Sequence, residues 1–144
     1  ASNLVERLSR DCQTTSDTET LTAQLQQFVR DYSFIQYVYV TDVKGHSTAI
    51  AISDPGDQKG YKAFPIGFDY SNREWFQQPM RTGKLHIMNV HQSQVTGQLI
   101  ITVSTVITDA NDEIIGVLGA DIQLEEIIRR AESLEAEVPN SEEE

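Results

Sequence analysis

Apolar positions change their period several times along this chain, and each change marks an element. Leu21, Leu25, Phe28, Val29 and Tyr32 recur at helical spacing behind Ser16 and Glu19, whose separation is that of a capping box. They predict a helix over 18–31. Leu4, Val5 and Leu8 leave a thinner stripe on a short opening helix. From Gln36 to Thr41 the residues turn aromatic and β-branched, and Asp42-Val43-Lys44-Gly45 is a turn leading into His46 to Ile52, so a hairpin is expected. Residues Ser53 to Gly67 read as a long loop, of the kind that is usually functional. Ser71 and Glu74 form a second capping box, so another helix should begin after Ser71. Pro79, which has no N–H to donate, should kink or end it. Leu85 to Gln92, Leu99 to Thr108 and Ile114 to Ile122 then read as strands, joined by connections too short for anything but antiparallel neighbours. Gln123 to about Glu135 reads as a final helix, with Leu124, Ile127 and Ile128 apolar.

This order predicts an α+β fold: a five-stranded antiparallel sheet with helices on one face. A parallel sheet would need helical crossovers between the last strands, and the connections leave no room. The 144 residues suffice for one domain that buries roughly two-thirds of its unfolded surface. We place that domain at 1–133 and expect 134–144, with its run of glutamates, to be an acidic, disordered tail. The net charge of −11 argues against a nucleic-acid partner, which would need a basic stripe. Cys12 is the lone cysteine and has no intrachain partner for a disulfide. The chain begins with Ala1 and carries no run of eighteen apolar residues, so it reads as a piece of a longer protein.

Candidate chemistry gathers at the second capped helix. Arg73 and Trp75 should sit in its first turn, where free N–H groups and the positive dipole end favour an anion such as a small carboxylate. Asp121, at the end of an apolar strand, offers the opposite charge. Each residue also has a plainer reading: Arg73 in a surface ion pair, Trp75 simply packed, Asp121 as the cap of the final helix. His86 and His91 are an odd number of residues apart, so on a regular strand they face opposite sides. With no cluster of Cys or carboxylates beside them, no metal site is expected. The stretch Asp109 to Glu113 begins like a calcium loop, but Ile114 stands where such a loop needs glycine, and a solvated turn explains it better. Gly116 and Gly119 lie inside a strand and make no dinucleotide fingerprint. No nucleophile elbow is present, and the expectation is a domain that is not an enzyme and needs no cofactor.

The blocks Arg73-Glu74-Trp75-Phe76, Gly83-Lys84, Leu99-Ile100-Ile101-Thr102-Val103-Ser104 and Asp109 through Ile122 together resemble a Cache domain. Cache domains are the PAS-like extracytoplasmic sensors of chemoreceptors, sensor histidine kinases and membrane diguanylate cyclases. The likeness runs from about Ile35 to Ile128 and fits a single module. It implies a central antiparallel sheet, a long N-terminal helix behind it, a C-terminal output helix, and a pocket under the loop and short helix that precede the third strand. In amino-acid-binding relatives the residues matching Arg73 and Trp75 hold the ligand carboxylate, and the one matching Asp121 holds its amine. Phe68, Phe76 and His91 stand where those relatives carry tyrosines. The implied ligand-binding set is Arg73, Trp75, Phe76, His91 and Asp121, with Phe68, Tyr70, Asn89 and Tyr61 as further lining candidates. The implied setting is the periplasmic or extracellular side of a membrane-anchored protein, with a small organic acid or amino acid as ligand and a homodimer formed through the N-terminal helix. The alternative is a PAS-like dimerisation or interaction module without a small ligand.

Overall fold

The computed structural model describes residues 5–7, 9–10, 18–54, 62, 65–93 and 97–137. After opening helical residues 5–7 and 9–10, called the opening turn, come α1 (Thr18–Asp31), β1 (Ile35–Thr41), β2 (Ser47–Ile52), α2 (Glu74–Thr82), β3 (His86–Ile87), β4 (His91–Gln92), β5 (Leu99–Thr108), β6 (Ile114–Gln123) and α3 (Leu124–Glu137). The sheet runs β2-β1-β6-β5-β3, with β4 also on β5, and every pairing is antiparallel. The expected fold class holds, with the third of five strands broken into β3 and β4.

Strand periodicity divides the core between the two faces of the sheet. Val38, Val40, Ala49, Ala51, Val103, Ile107, Leu118 and Ala120 face one way and pack on Leu21, Leu25 and Val29 of α1 and on Val5 of the opening turn. Tyr37, Tyr39, Ile50, Ile52 and Val117 face the other way and pack on Tyr70 and on Trp75 and Phe76 of α2. Helices therefore cover both faces, where one was expected: the alternating strands are apolar on both sides, and a single layer of helix would leave half of that surface wet.

The start of α2 departs from its capping pattern. Arg73, in an extended conformation, occupies the N-cap and makes no side-chain cap bond. The carboxylate of Asp69 takes the Ser71 N–H at 2.8 Å, and Glu74 reaches His86 on β3 at 2.7 Å. The two halves of the expected box are thus engaged elsewhere. Ser16, of the first expected box, lies outside the described residues.

Pro79 neither ends α2 nor leaves a carbonyl stranded. Its missing N–H would have bonded the carbonyl of Trp75, one turn earlier. The hydroxyl of Ser104 on β5 donates to that oxygen at 2.7 Å instead, which ties the helix to the sheet. The helix ends four residues later at Gly83, whose left-handed backbone (φ 70°) lets its N–H cap the Pro79 carbonyl at 2.7 Å.

Two further boundaries move. Helix α3 continues to Glu137, past the expected domain limit at 133. The rest of the acidic tail lies outside the described residues. The opening turn is anchored by a 2.8 Å bond from the Ser9 hydroxyl to the Val106 carbonyl, near the hairpin end of β5, whereas α3 departs beside Ile100. Six residues of strand, about 20 Å, separate these points, so the Ser9 end of this turn stands away from the start of α3. No described helix is long and apolar enough to cross a membrane.

Candidate functional site

The α2 face of the sheet carries a buried carboxylate. Asp121 is 6% exposed and lies within β6, opposite Thr102 of β5 and Tyr37 of β1. It is therefore not the cap of α3, which starts three residues later. Two hydroxyls hold it: Tyr39 donates to its Oδ1 at 2.5 Å and Thr102 to the same oxygen at 2.9 Å. Oδ2 takes no hydrogen bond among the described residues.

Tyr39 reaches Asp121 because of Gly119. The two are register partners on β1 and β6, and a Cβ on residue 119 would stand 2.2 Å from the Tyr39 ring. With only a hydrogen there, the ring lies across the strand and its hydroxyl meets the carboxylate two residues on. Burial pushes the Asp121 carboxyl above the usual carboxylate range, and the bonds from Tyr39 and Thr102 and the nearby His91 pull part of the way back. Burial, then the neighbouring carboxylate, holds the Tyr39 hydroxyl well above its ordinary value, so it remains a donor.

An aromatic shell lies over this carboxylate. Trp75 sits 4.7 Å from Tyr39 and 5.3 Å from Tyr70, centroid to centroid, and Phe76 meets Trp75 edge-on at 6.5 Å. Phe68 packs on Tyr70 at 4.8 Å but is 42% exposed, at the rim. Burial pushes the Tyr70 hydroxyl up to about 12; Arg73 draws it down and Asp121 raises it, so Tyr70 stands within electrostatic reach of both charges. Arg73 is partly buried at the N-cap of α2, its N–H bonded to the Tyr70 carbonyl at 2.9 Å, and Asp121 is buried in the sheet on the other side of the Tyr39–Tyr70 ring pair.

The last side of the site comes from β4. His86 lies opposite Ser104, and His91 opposite Ile100. The stretch between the histidines has one residue more than the β5 span it faces, which is a bulge. It reverses the expected parity: both histidines face α2. His86 spends that position on Glu74. His91 bonds the Asn89 carbonyl through Nδ1 at 2.8 Å and approaches Thr102 Oγ1 through Nε2 at 3.4 Å.

Of the residues expected from sequence, Tyr70, Trp75 and Phe76 pack together beside the Tyr39–Asp121 pair, His91 approaches Thr102, and Arg73 stands at the start of the helix that carries Trp75 and Phe76. Asn89 contributes its carbonyl to His91 while its side chain is exposed, and Tyr61 lies outside the described residues. Tyr39, Thr102 and Ser104 were missed, because a hydroxyl in an apolar strand reads as ordinary sheet. An aspartate two residues after a strand glycine was the available signal for a neighbouring ring. At the β5–β6 turn, Asp109 Oδ1 accepts the N–H groups of Asn111 and Glu113, as a hairpin turn requires.

Residues 18–129 match the family described as methyl-accepting chemotaxis protein-like, first PDC sensor domain. Over 108 residues the chain is 41% identical to a protein of Syntrophus aciditrophicus named citrate (Re)-synthase, covering 75% of this chain and 17% of that protein. It is 23% identical over 134 residues to the methyl-accepting chemotaxis protein McpA of Pseudomonas putida, covering 92% of this chain and 19% of the relative. Among solved structures, the ligand-binding domain of the Campylobacter jejuni chemoreceptor Tlp3, in complex with L-valine, superposes with a TM-score of 0.67 at 19% identity. That match covers 87% of this chain and 52% of Tlp3's domain, which is likeness of fold. The chain spans less than a fifth of its curated relatives and about half of that solved domain. It belongs to the methyl-accepting chemotaxis protein-like family of PDC sensor domains.

Proposed function

We propose that this domain is the extracytoplasmic ligand sensor of a membrane-anchored signalling protein, and that it binds a small carboxylate or amino acid on the α2 face, between Arg73 and Asp121. The observation that carries the reading is the pair of opposed charges flanking Tyr70: a guanidinium where α2 begins and a carboxylate buried beneath Tyr39 and Trp75. A buried carboxylate is costly to the fold. Holding one with two hydroxyl donors suits a group kept for a ligand ammonium, and Arg73 suits the carboxylate at the other end. L-Valine, the ligand in the Tlp3 complex, carries both groups. The domain acts here by binding, without catalysis, and signals by shifting between two states that differ in affinity for the ligand.

The proposal includes pairing of two copies through the opening helix. Its outward described residues Glu6, Arg7 and Arg10 are charged, so a pairing in which Glu6 of one copy meets an arginine of the other would be weakened by salt, which sedimentation at two ionic strengths would read. The ligand reading is tested by thermal shift against a panel of amino acids and small carboxylates. A true ligand at 100 times its dissociation constant should stabilise the domain by roughly 2.7 kcal/mol, several degrees in Tm. A panel without a single stabilising member would favour an interaction module without a small ligand.

A further inference from the structure

We propose that His91 determines specificity by making recognition of an ammonium at Asp121 compete with a proton on the imidazole. The inference rests on the sensor reading above and concerns a residue that departs from the tyrosine expected at this place. Its basis is a count of donors and acceptors. The Asn89 carbonyl can only accept, so His91 Nδ1 carries a hydrogen. The Thr102 hydroxyl has one hydrogen, and it is given to Asp121 at 2.9 Å. Toward His91 Nε2, 3.4 Å away, Thr102 then offers only a lone pair. A neutral imidazole would meet that lone pair with its own. The arrangement is satisfied when Nε2 also carries a hydrogen, so that imidazolium, threonine and carboxylate form one polarised chain.

The Thr102 hydrogen is thus the pivot. With His91 charged, it points to Asp121, and a cation already stands behind the carboxylate. With His91 neutral, the hydroxyl can turn to Nε2, leaving Asp121 with Tyr39 alone and with acceptor capacity for a ligand ammonium. A ligand ammonium and the imidazole proton therefore oppose each other, and by reciprocity binding one expels the other. A carboxylate ligand without an amine feels no such opposition. The other titratable or charged groups around this chain are Tyr39 on β1, Tyr70 and Arg73 at the start of α2, and the His86–Glu74 pair that joins β3 to α2. Tyrosine and arginine keep their protonation state across the range in which imidazoles titrate. Asp121 itself, whose carboxyl burial raises, would favour an ammonium with the same sign as pH rises, so loss of the pH dependence in His91→Gln separates imidazole from carboxylate, and His86 is the control.

Calorimetry with L-valine and with 3-methyl-2-oxobutanoate, which keeps the carboxylate and lacks the ammonium, provides the test. Valine affinity should rise by about tenfold between about pH 5 and about pH 8, the effect of one neighbouring charge, while the oxo acid gains nothing. Midway, valine binding should release protons, seen as heats that depend on the buffer. His91→Gln should abolish the pH dependence for valine, and His86→Gln should retain it. Binding of valine that is independent of pH in the wild type, or unchanged pH dependence in His91→Gln, overturns the inference and leaves the sensor reading intact. Failure of both probes to bind at either pH overturns the sensor reading for this ligand class and the inference with it.

Discussion

Replacing Asp121 by asparagine should make the domain more stable and less able to bind an amine. Both hydroxyl donors land on Oδ1, so an asparagine can keep that oxygen in place and put its NH2 where Oδ2 stood. The geometry survives and the charge goes. Each bond weakens from the charge-assisted range to the neutral one, a loss of about 1–1.5 kcal/mol per bond. Against that, the desolvation penalty of a buried carboxylate, several kcal/mol, disappears. Burial is the largest influence on this group and it raises its pKa, so the balance favours the neutral side chain. A net gain of about 1–2 kcal/mol would raise Tm by roughly 3–8 °C for a domain of this size. The sign with pH follows. A carboxyl whose folded pKa is raised costs stability above its unfolded pKa, increasingly as pH rises through the folded value. The advantage of Asp121→Asn should therefore grow as pH rises above the ordinary carboxylate range, level off once pH passes the folded value, and vanish below that range. Urea titrations of both proteins at several pH values measure it. An Asp121→Asn protein less stable than wild type at neutral pH would show that the carboxylate is held by more than these bonds, and the reasoning would fail.

Gly119→Ala should cost several kcal/mol or displace the Tyr39 ring, since the new Cβ would stand 2.2 Å from it; an unchanged melting curve with unchanged amine binding would contradict the stacking argument. Ser104→Ala should destabilise by about 1–3 kcal/mol by stranding the Trp75 carbonyl, and adding Pro79→Ala should recover part of the loss, because residue 79 then supplies the missing N–H. A double mutant no better than the single would refute the link. Arg73→Ala should leave the fold intact and cost about 2–5 kcal/mol of ligand affinity, with Arg73→Lys intermediate; unchanged calorimetric affinity in Arg73→Ala would move the carboxylate site elsewhere.

Much of the fold could be read along the chain because it depends on short-range periodicity. The 18–31 helix needs only its apolar spacing, and the two hairpins need only turn residues between β-branched runs. The misreadings occur where a side chain has two possible partners. Ser71 and Glu74 have the spacing of a capping box, but Asp69 is closer to the Ser71 N–H, and Glu74 finds His86 from a strand twelve residues on. Pro79 should have broken α2, and does not, because Ser104 takes over its missing bond from another element. The bulge between β3 and β4 depends on register against β5, and nothing local announces it.

The site was legible in its charges and not in what holds them. Arg73, Trp75 and Asp121 stand out as a cation, an indole and a carboxylate at telling places, whereas the support under Asp121 comes from Tyr39 on one neighbouring strand and Thr102 on the other. That support bears on output as well as on binding. Asp121 is three residues from the start of α3, on the strand that becomes it, and the Trp75 carbonyl fastens α2 to β5, the next strand. A ligand bridging Arg73 and Asp121 would therefore load α2, β5 and the root of α3 together. Only contacts that differ between two arrangements can shift a population. Helix α3 is exposed at Ile128, Arg129 and Ala131 to Ser133, so if it is the element that such a ligand displaces, the carboxylate that costs the fold stability would also be the one best placed to move it.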